Sequence, residues 1–120
     1  MDEKISSSYA FGTRIEKLEE IARSLSDYFL SLGIRNVALG IHAEIDRLVG
    51  DRFALILAEQ FRVFTLGTVP LPAVYFASSG FGFDAAILLR CIKETELELI
   101  IRFHHRAFTQ QDYRKLPVPQ

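Results

Sequence analysis

The first residues in this chain whose types and spacing could do chemistry are His42, Glu44 and Asp46, an H-x-E-x-D pattern. On a strand all three share one face, with roughly 7 Å between successive side chains. A histidine beside two carboxylates could move a proton, or hold a divalent ion if another strand supplied further ligands. His104 is the residue placed to complete such a set. Its neighbour His105 would point to the opposite face of the same strand. No metal-site spacing is matched, so no metal and no cofactor is assigned, and His42, Glu44, Asp46 and His104 stand as candidate catalytic residues. The competing reading is structural: Glu44 and Asp46 would meet Arg102 and Arg106 as cross-strand ion pairs on a polar face.

Other nucleophile and phosphate signals are weak. Cys91 is the single cysteine and sits in an apolar run, Ile-Leu-Leu-Arg-Cys-Ile, which suits a buried thiol more than a reactive one. Ser78-Ser79-Gly80 lacks the G-x-S-x-G elbow of hydrolases, and Gly80-Phe81-Gly82 lacks the lysine of a phosphate loop. The aromatics carry more information. Phe61, Phe64, Tyr75, Phe76, Phe81 and Phe83 bracket loops rich in glycine and proline. Large rings on loops line pockets or interfaces when they do not fill the core. Tyr75, Phe76, Phe81 and Phe83 are therefore the candidate binding residues, with Phe81 and Phe83 as anchors.

The elements that must position these residues follow from hydrophobic periodicity. Residues 97–106 alternate: Leu97, Leu99, Ile101 and Phe103 point one way, and Glu96, Glu98, Ile100, Arg102 and His104 the other. That period of two predicts a strand with one dry face and one wetter face, central to the fold. The charged turn Lys93–Glu96 joins it in a hairpin to 84–92, a strand or a short helix capped by Asp84. Upstream, Ile15, Leu18, Ala22, Leu25, Phe29 and Leu32 form one apolar stripe at helical spacing. Thr13 and Glu16 supply a capping box at its start and Gly33 a left-handed cap at its end.

Residues 37–46 alternate as a strand. Residues 53–64 fit either state and are read as a second strand, although Phe53, Leu57, Phe61 and Phe64 also fit a helix. Gly67, Pro70 and Pro72 break what precedes them, 73–77 is a short β-prone run, and Gln110 to Lys115 can give one turn of helix. The sum is an α+β fold: an N-terminal amphipathic helix packed on a four- to five-stranded, mainly antiparallel sheet. Residues 1–12 read as a polar lead-in and 109–120 as an extended tail to one domain spanning 1–120.

Composition narrows the function classes. The chain has 120 residues, 49% hydrophobic and 24% charged, which excludes a disordered chain. A net charge of −1 argues against nucleic acid, despite Arg102, Arg106, Arg114 and Lys115 standing against Asp112 alone near the end. No apolar run is long enough to span a membrane, and a lone cysteine suits a reducing compartment, so the expectation is a cytoplasmic protein. With no catalytic motif and 10 phenylalanines, the sequence points to a small non-enzymatic protein-binding module, an adaptor, inhibitor or chaperone-like chain. Its partner would be a second copy or another protein. The alternative is a small-molecule-binding domain or enzyme with a polar pocket on the sheet face.

Overall fold

The computed structural model describes residues 8–42, 45, 47–68 and 82–116. The described elements are β1 (Tyr9–Arg14), a 3₁₀ turn (Ile15–Lys17), α1 (Leu18–Ser31), β2 (Asn36–Ile41), α2 (Arg47–Ala58), β3 (Arg62–Thr68), β4 (Ala85–Lys93), β5 (Glu96–Phe103) and α3 (Gln110–Arg114). The five strands make one sheet in the order β1-β5-β4-β2-β3. β5 runs antiparallel to both β1 and β4, whereas β2 runs parallel to both β3 and β4.

The fold is α+β, but the sheet is mixed rather than mainly antiparallel. The difference traces to residues 47–58, which form α2, so that 53–58 are helical where a strand over 53–64 is expected. A helix there serves as the crossover that a parallel β2/β3 pair requires, and β3 begins only at Arg62. Phe53, Ile56 and Leu57 are buried beneath it, while Leu55 is exposed, a helical rather than an alternating pattern. The start of the chain differs too. Tyr9–Arg14 is a strand on the edge of the sheet and not a polar lead-in, pairing with β5 from Tyr9↔Ile101 to Arg14↔Glu96. Thr13 is thereby held in β1 opposite Leu97, so the capping box with Glu16 does not form. The expected strand at 73–77 lies outside the described residues.

The hairpin forms, with Ala85–Lys93 a strand rather than a capped helix and the turn only Glu94-Thr95, two residues in place of the expected four. Its 97–103 half is second in the sheet, beside the central β4. Leu97, Leu99, Ile101 and Phe103 join Val37, Leu39, Ile87 and Leu89 in the main core, against Leu18, Leu25 and Phe29 of α1 and Phe53 and Leu57 of α2. All packing of the described helices falls on this face. The opposite face carries a smaller buried cluster, Ala38, Ala86, Leu88 and Ile100, with Leu66 and Phe83 against it. The wetter face of β5 is thus wet only in part: Arg102 is 7% exposed and Ile100 5%.

Two glycines fix how the helices sit. Gly33 has φ +79°, and the amides of Gly33 and Ile34 donate to the carbonyls of Leu30 and Phe29, both at 3.1 Å. This is a Schellman ending, and it turns the chain from α1 into β2. Gly50 lets α2 approach β2: a Cβ there would stand 2.5 Å from Cδ1 of Ile41.

Candidate functional site

The two ends of the sheet carry different chemistry. At the carboxyl ends of β2 and β4 the chain leaves in opposite directions, through α2 toward β3 and through the hairpin toward β5. Parallel strands that part in this way open a crevice where ligands commonly bind. A cavity of about 430 Å³ lies here, lined by Ile15, Ile45, Val49, Cys91, Ile92, Lys93, Glu94 and Leu97. Its walls are mostly apolar. Cys91 donates its thiol to the Lys93 carbonyl at 3.3 Å, and no base among the described residues is bonded to it. Ile15 and Val49 also line a neighbouring cavity of about 220 Å³ between α1 and α2, with Arg52, Phe53 and Ile56. An ion pair from Arg52 Nε to Glu19 Oε2, 2.9 Å, ties the two helices together beside it.

His42 stands at this end, its amide donating to the Leu89 carbonyl at 2.8 Å. His104 stands at the other, its amide donating to the Asp84 carbonyl at 3.0 Å. Leu89 and Asp84 are five residues apart on one extended chain, roughly 17 Å. The sheet therefore separates the two candidate histidines. Glu44 and Asp46 lie outside the described residues, as do Tyr75, Phe76 and Phe81. Arg106 does not face across the sheet to an acidic partner; it pairs with Asp112 beyond the strand. Among the described residues, a cross-strand ion pair joins Arg90 to Glu98. Phe83 packs on Phe64 with ring centroids 4.9 Å apart and is half-buried, so it serves the second cluster as well as any contact.

The end marked by Asp84 is the more polar. Asp84 Oδ2 accepts the amides of Arg35 at 2.8 Å and Asn36 at 3.3 Å, and Asn36 Oδ1 accepts the amide of Asp84 at 2.7 Å. These reciprocal bonds lock the start of β4 to the start of β2. Close by, Asp112 is 4% exposed and accepts hydrogen bonds from three residues. Arg106 donates Nη1 to Oδ2 at 2.8 Å and Nη2 to Oδ1 at 2.7 Å; Tyr28 donates its hydroxyl to Oδ1; and the Thr109 amide reaches Oδ2 at 2.8 Å. Burial alone would push the Asp112 carboxyl up, but these bonds together hold it well below the usual carboxylate range. The bond to Asp112 raises Arg106, whereas burial first, and then the bond to Asp112, raises Tyr28.

This network moors α3 to α1. In the sequence Asp112 stands only as the single acid of a basic tail. The signal that could have placed it is Thr109-x-x-Asp112, the cap spacing before a short helix.

No known family model matches the chain, and no curated protein matches it. Function therefore rests on the geometry. Among the described residues no three of His, Cys, Asp or Glu converge as a metal site. No helix of the described residues is long and apolar enough to cross a membrane.

Among the described residues, the most exposed large hydrophobic side chains lie elsewhere. On α2, Leu48 is 77% and Leu55 69% exposed. Seven residues apart, they fall on one line of the helix surface, directed away from the sheet. Reading 53–64 as a strand hid this pair, because a strand would place residues 48 and 55 in unrelated positions.

Proposed function

We propose that the chain is a small non-enzymatic protein-binding module that works as a homodimer through the outer face of α2. The observation that carries the reading is the exposure of Leu48 and Leu55 on a helix whose other face is fully used in the core. Single exposed leucines are ordinary on protein surfaces. Two in line on one helix, flanked by charges, make a small apolar contact with a polar rim, the usual anatomy of an interface.

The flanking charges favour a second copy as the occupant. At about 100° per residue, Asp51 and Arg52 fall about 50° on either side of the Leu48–Leu55 line. When two such helices lie parallel about a two-fold axis, one flank meets the opposite flank of its neighbour. Leucine then meets leucine, and Asp51 meets the partner's Arg52. Arg52 already donates to Glu19 at 2.9 Å, but a guanidinium has five N–H donors and can serve both acceptors. A net charge of −1 leaves little repulsion between copies.

Sedimentation of the purified chain over a range of concentrations tests the reading. The expected result is a mass that rises from monomer to dimer, and a Leu48→Glu, Leu55→Glu variant that stays monomeric with an unchanged melting temperature. A wild-type chain that remains monomeric throughout overturns it. So does a dimer that the double variant leaves intact.

A further inference from the structure

The polar end of the sheet holds a second feature, independent of α2. A cleft of about 220 Å³ opens between the end of α1 and the end of β5. Leu32, Ile34 and Phe103 supply apolar walls, and Asp84, His105 and Arg106 stand at its rim. Each of the three polar groups is fixed from behind and has capacity to spare. Asp84 uses Oδ2 for two backbone amides, leaving Oδ1 without a hydrogen bond among the described residues. Arg106 spends Nη1 on the Ala107 carbonyl and Asp112, and Nη2 on Asp112. Its Nε–H has no acceptor among the described residues, and the guanidinium is held 5.0 Å over the Phe103 ring. Among the described residues His105 makes a ring contact with His104, at 4.6 Å, and neither of its ring nitrogens has a hydrogen-bond partner there.

An acceptor of negative charge thus faces the same small apolar space as a donor of positive charge, and both are already oriented. Orientation fixed before binding removes much of the entropy cost of capturing a ligand. A lone anion would meet the Asp84 carboxylate, and a lone cation would meet Arg106. A molecule that carries both charges on a short apolar body satisfies the two ends at once. We propose that this cleft binds a small zwitterion of amino-acid size, its ammonium on Asp84, its carboxylate on Arg106 and His105, and its carbon chain against Leu32, Ile34 and Phe103.

The test is calorimetric titration, with amide chemical shifts of Gly33 and His105 as a second readout. The probes are free leucine, 4-aminobutyrate and 6-aminohexanoate, which differ in charge separation, with butylamine and butyrate as single-charge controls. At least one zwitterion is expected to saturate and to move both amides, with each single-charge control about tenfold weaker or worse. Asp84→Asn removes the charge while an amide oxygen can still accept the Arg35 and Asn36 amides, and His105→Ala touches no structural hydrogen bond. Each is expected to weaken the bound zwitterion about tenfold. If Asp84→Asn does not fold, His105→Ala and the single-charge controls still decide. Absence of saturable shifts with all three zwitterions overturns the proposal. Equal binding of a single-charge control, or unchanged affinity in the folded variants, does so as well.

Discussion

Asp112 shows how one buried side chain can hold a segment that has little core of its own. α3 is only Gln110–Arg114, too short to be stable in isolation. Its attachment comes from the carboxylate that binds Arg106, Tyr28 and Thr109, together with Phe108 and Leu116, which are 1% and 4% exposed. Asp112→Asn keeps the shape but removes the charge and turns one acceptor into a donor facing Arg106 or Tyr28. The expected loss is about 2–3 kcal/mol in chemical denaturation. The acid dependence follows from the sign of the shift. Asp112 is depressed in the folded chain, so its contribution is complete above the unfolded carboxylate value of about 3.9 and fades as pH falls below it. Tyr28 acts at the other limit. Its hydroxyl is raised above 10.0, so the folded state resists losing that proton and stability declines as pH climbs past the unfolded value. Tyr28→Phe is expected to flatten the alkaline decline, and Asp112→Asn the acid one, in melting temperatures measured against pH.

At the scale of elements, hydrophobic pattern found what depends on neighbours in sequence and missed what depends on neighbours in space. The stripe from Ile15 to Leu32 and the alternation over 97–106 are local periodicities, and each marks an element somewhat shorter than itself or shifted by a residue, the helix Leu18–Ser31 and the strand Glu96–Phe103. Residues 47–58 carry a mixed period, because α2 buries one side only and exposes Leu48 and Leu55 on the other. Such a helix has no clean stripe to read. β1 is short, and its outer residues Ala10, Gly12 and Arg14 are exposed, so nothing in its composition marks it as a strand until β5 lies beside it. The site was legible in the same uneven way. His42 and His104 look like partners in sequence, yet one bonds to Leu89 midway along β4 and the other to Asp84 just before that strand begins. The two element-setting glycines give sharp expectations. At Gly33 an added Cβ meets nothing within 4 Å, so Gly33→Ala reports backbone strain alone, about 1–2 kcal/mol. At Gly50 the obstacle is the mobile tip of Ile41. Gly50→Ala gains about 1 kcal/mol in helix propensity, which offsets a small shift of that tip. Gly50→Leu cannot be absorbed and is expected to cost about 1–3 kcal/mol. Pairing it with Ile41→Ala should return part of that loss, a coupling that a double-mutant cycle reads directly.

For the whole molecule, the proposed dimer raises the question of how a chain whose described helices lie on one sheet face could present a surface to a second copy. α1 and α2 are stitched by Arg52–Glu19 and Arg23–Glu59, so the pair behaves as one layer, and the Leu48–Leu55 line is its outer ridge. A contact built on two leucines per copy depends on those anchors and little on its charged rim. Exposed ion pairs are worth about 0–1 kcal/mol each, so added salt should weaken the dimer only slightly. The rim instead reports geometry. In a parallel pair Asp51 faces the partner's Arg52, and Asp51→Asn removes an attraction, raising the dissociation constant. In an antiparallel pair Asp51 faces the partner's Asp51, and the same substitution removes a repulsion and tightens the dimer. Asp51→Arg is expected to weaken the parallel dimer further, and adding Arg52→Asp should restore it, because the exchanged charges again face opposite signs. Concentration-dependent sedimentation of these three variants fixes the orientation of the two copies. Tightening by Asp51→Asn rejects the parallel arrangement while leaving the leucine contact standing.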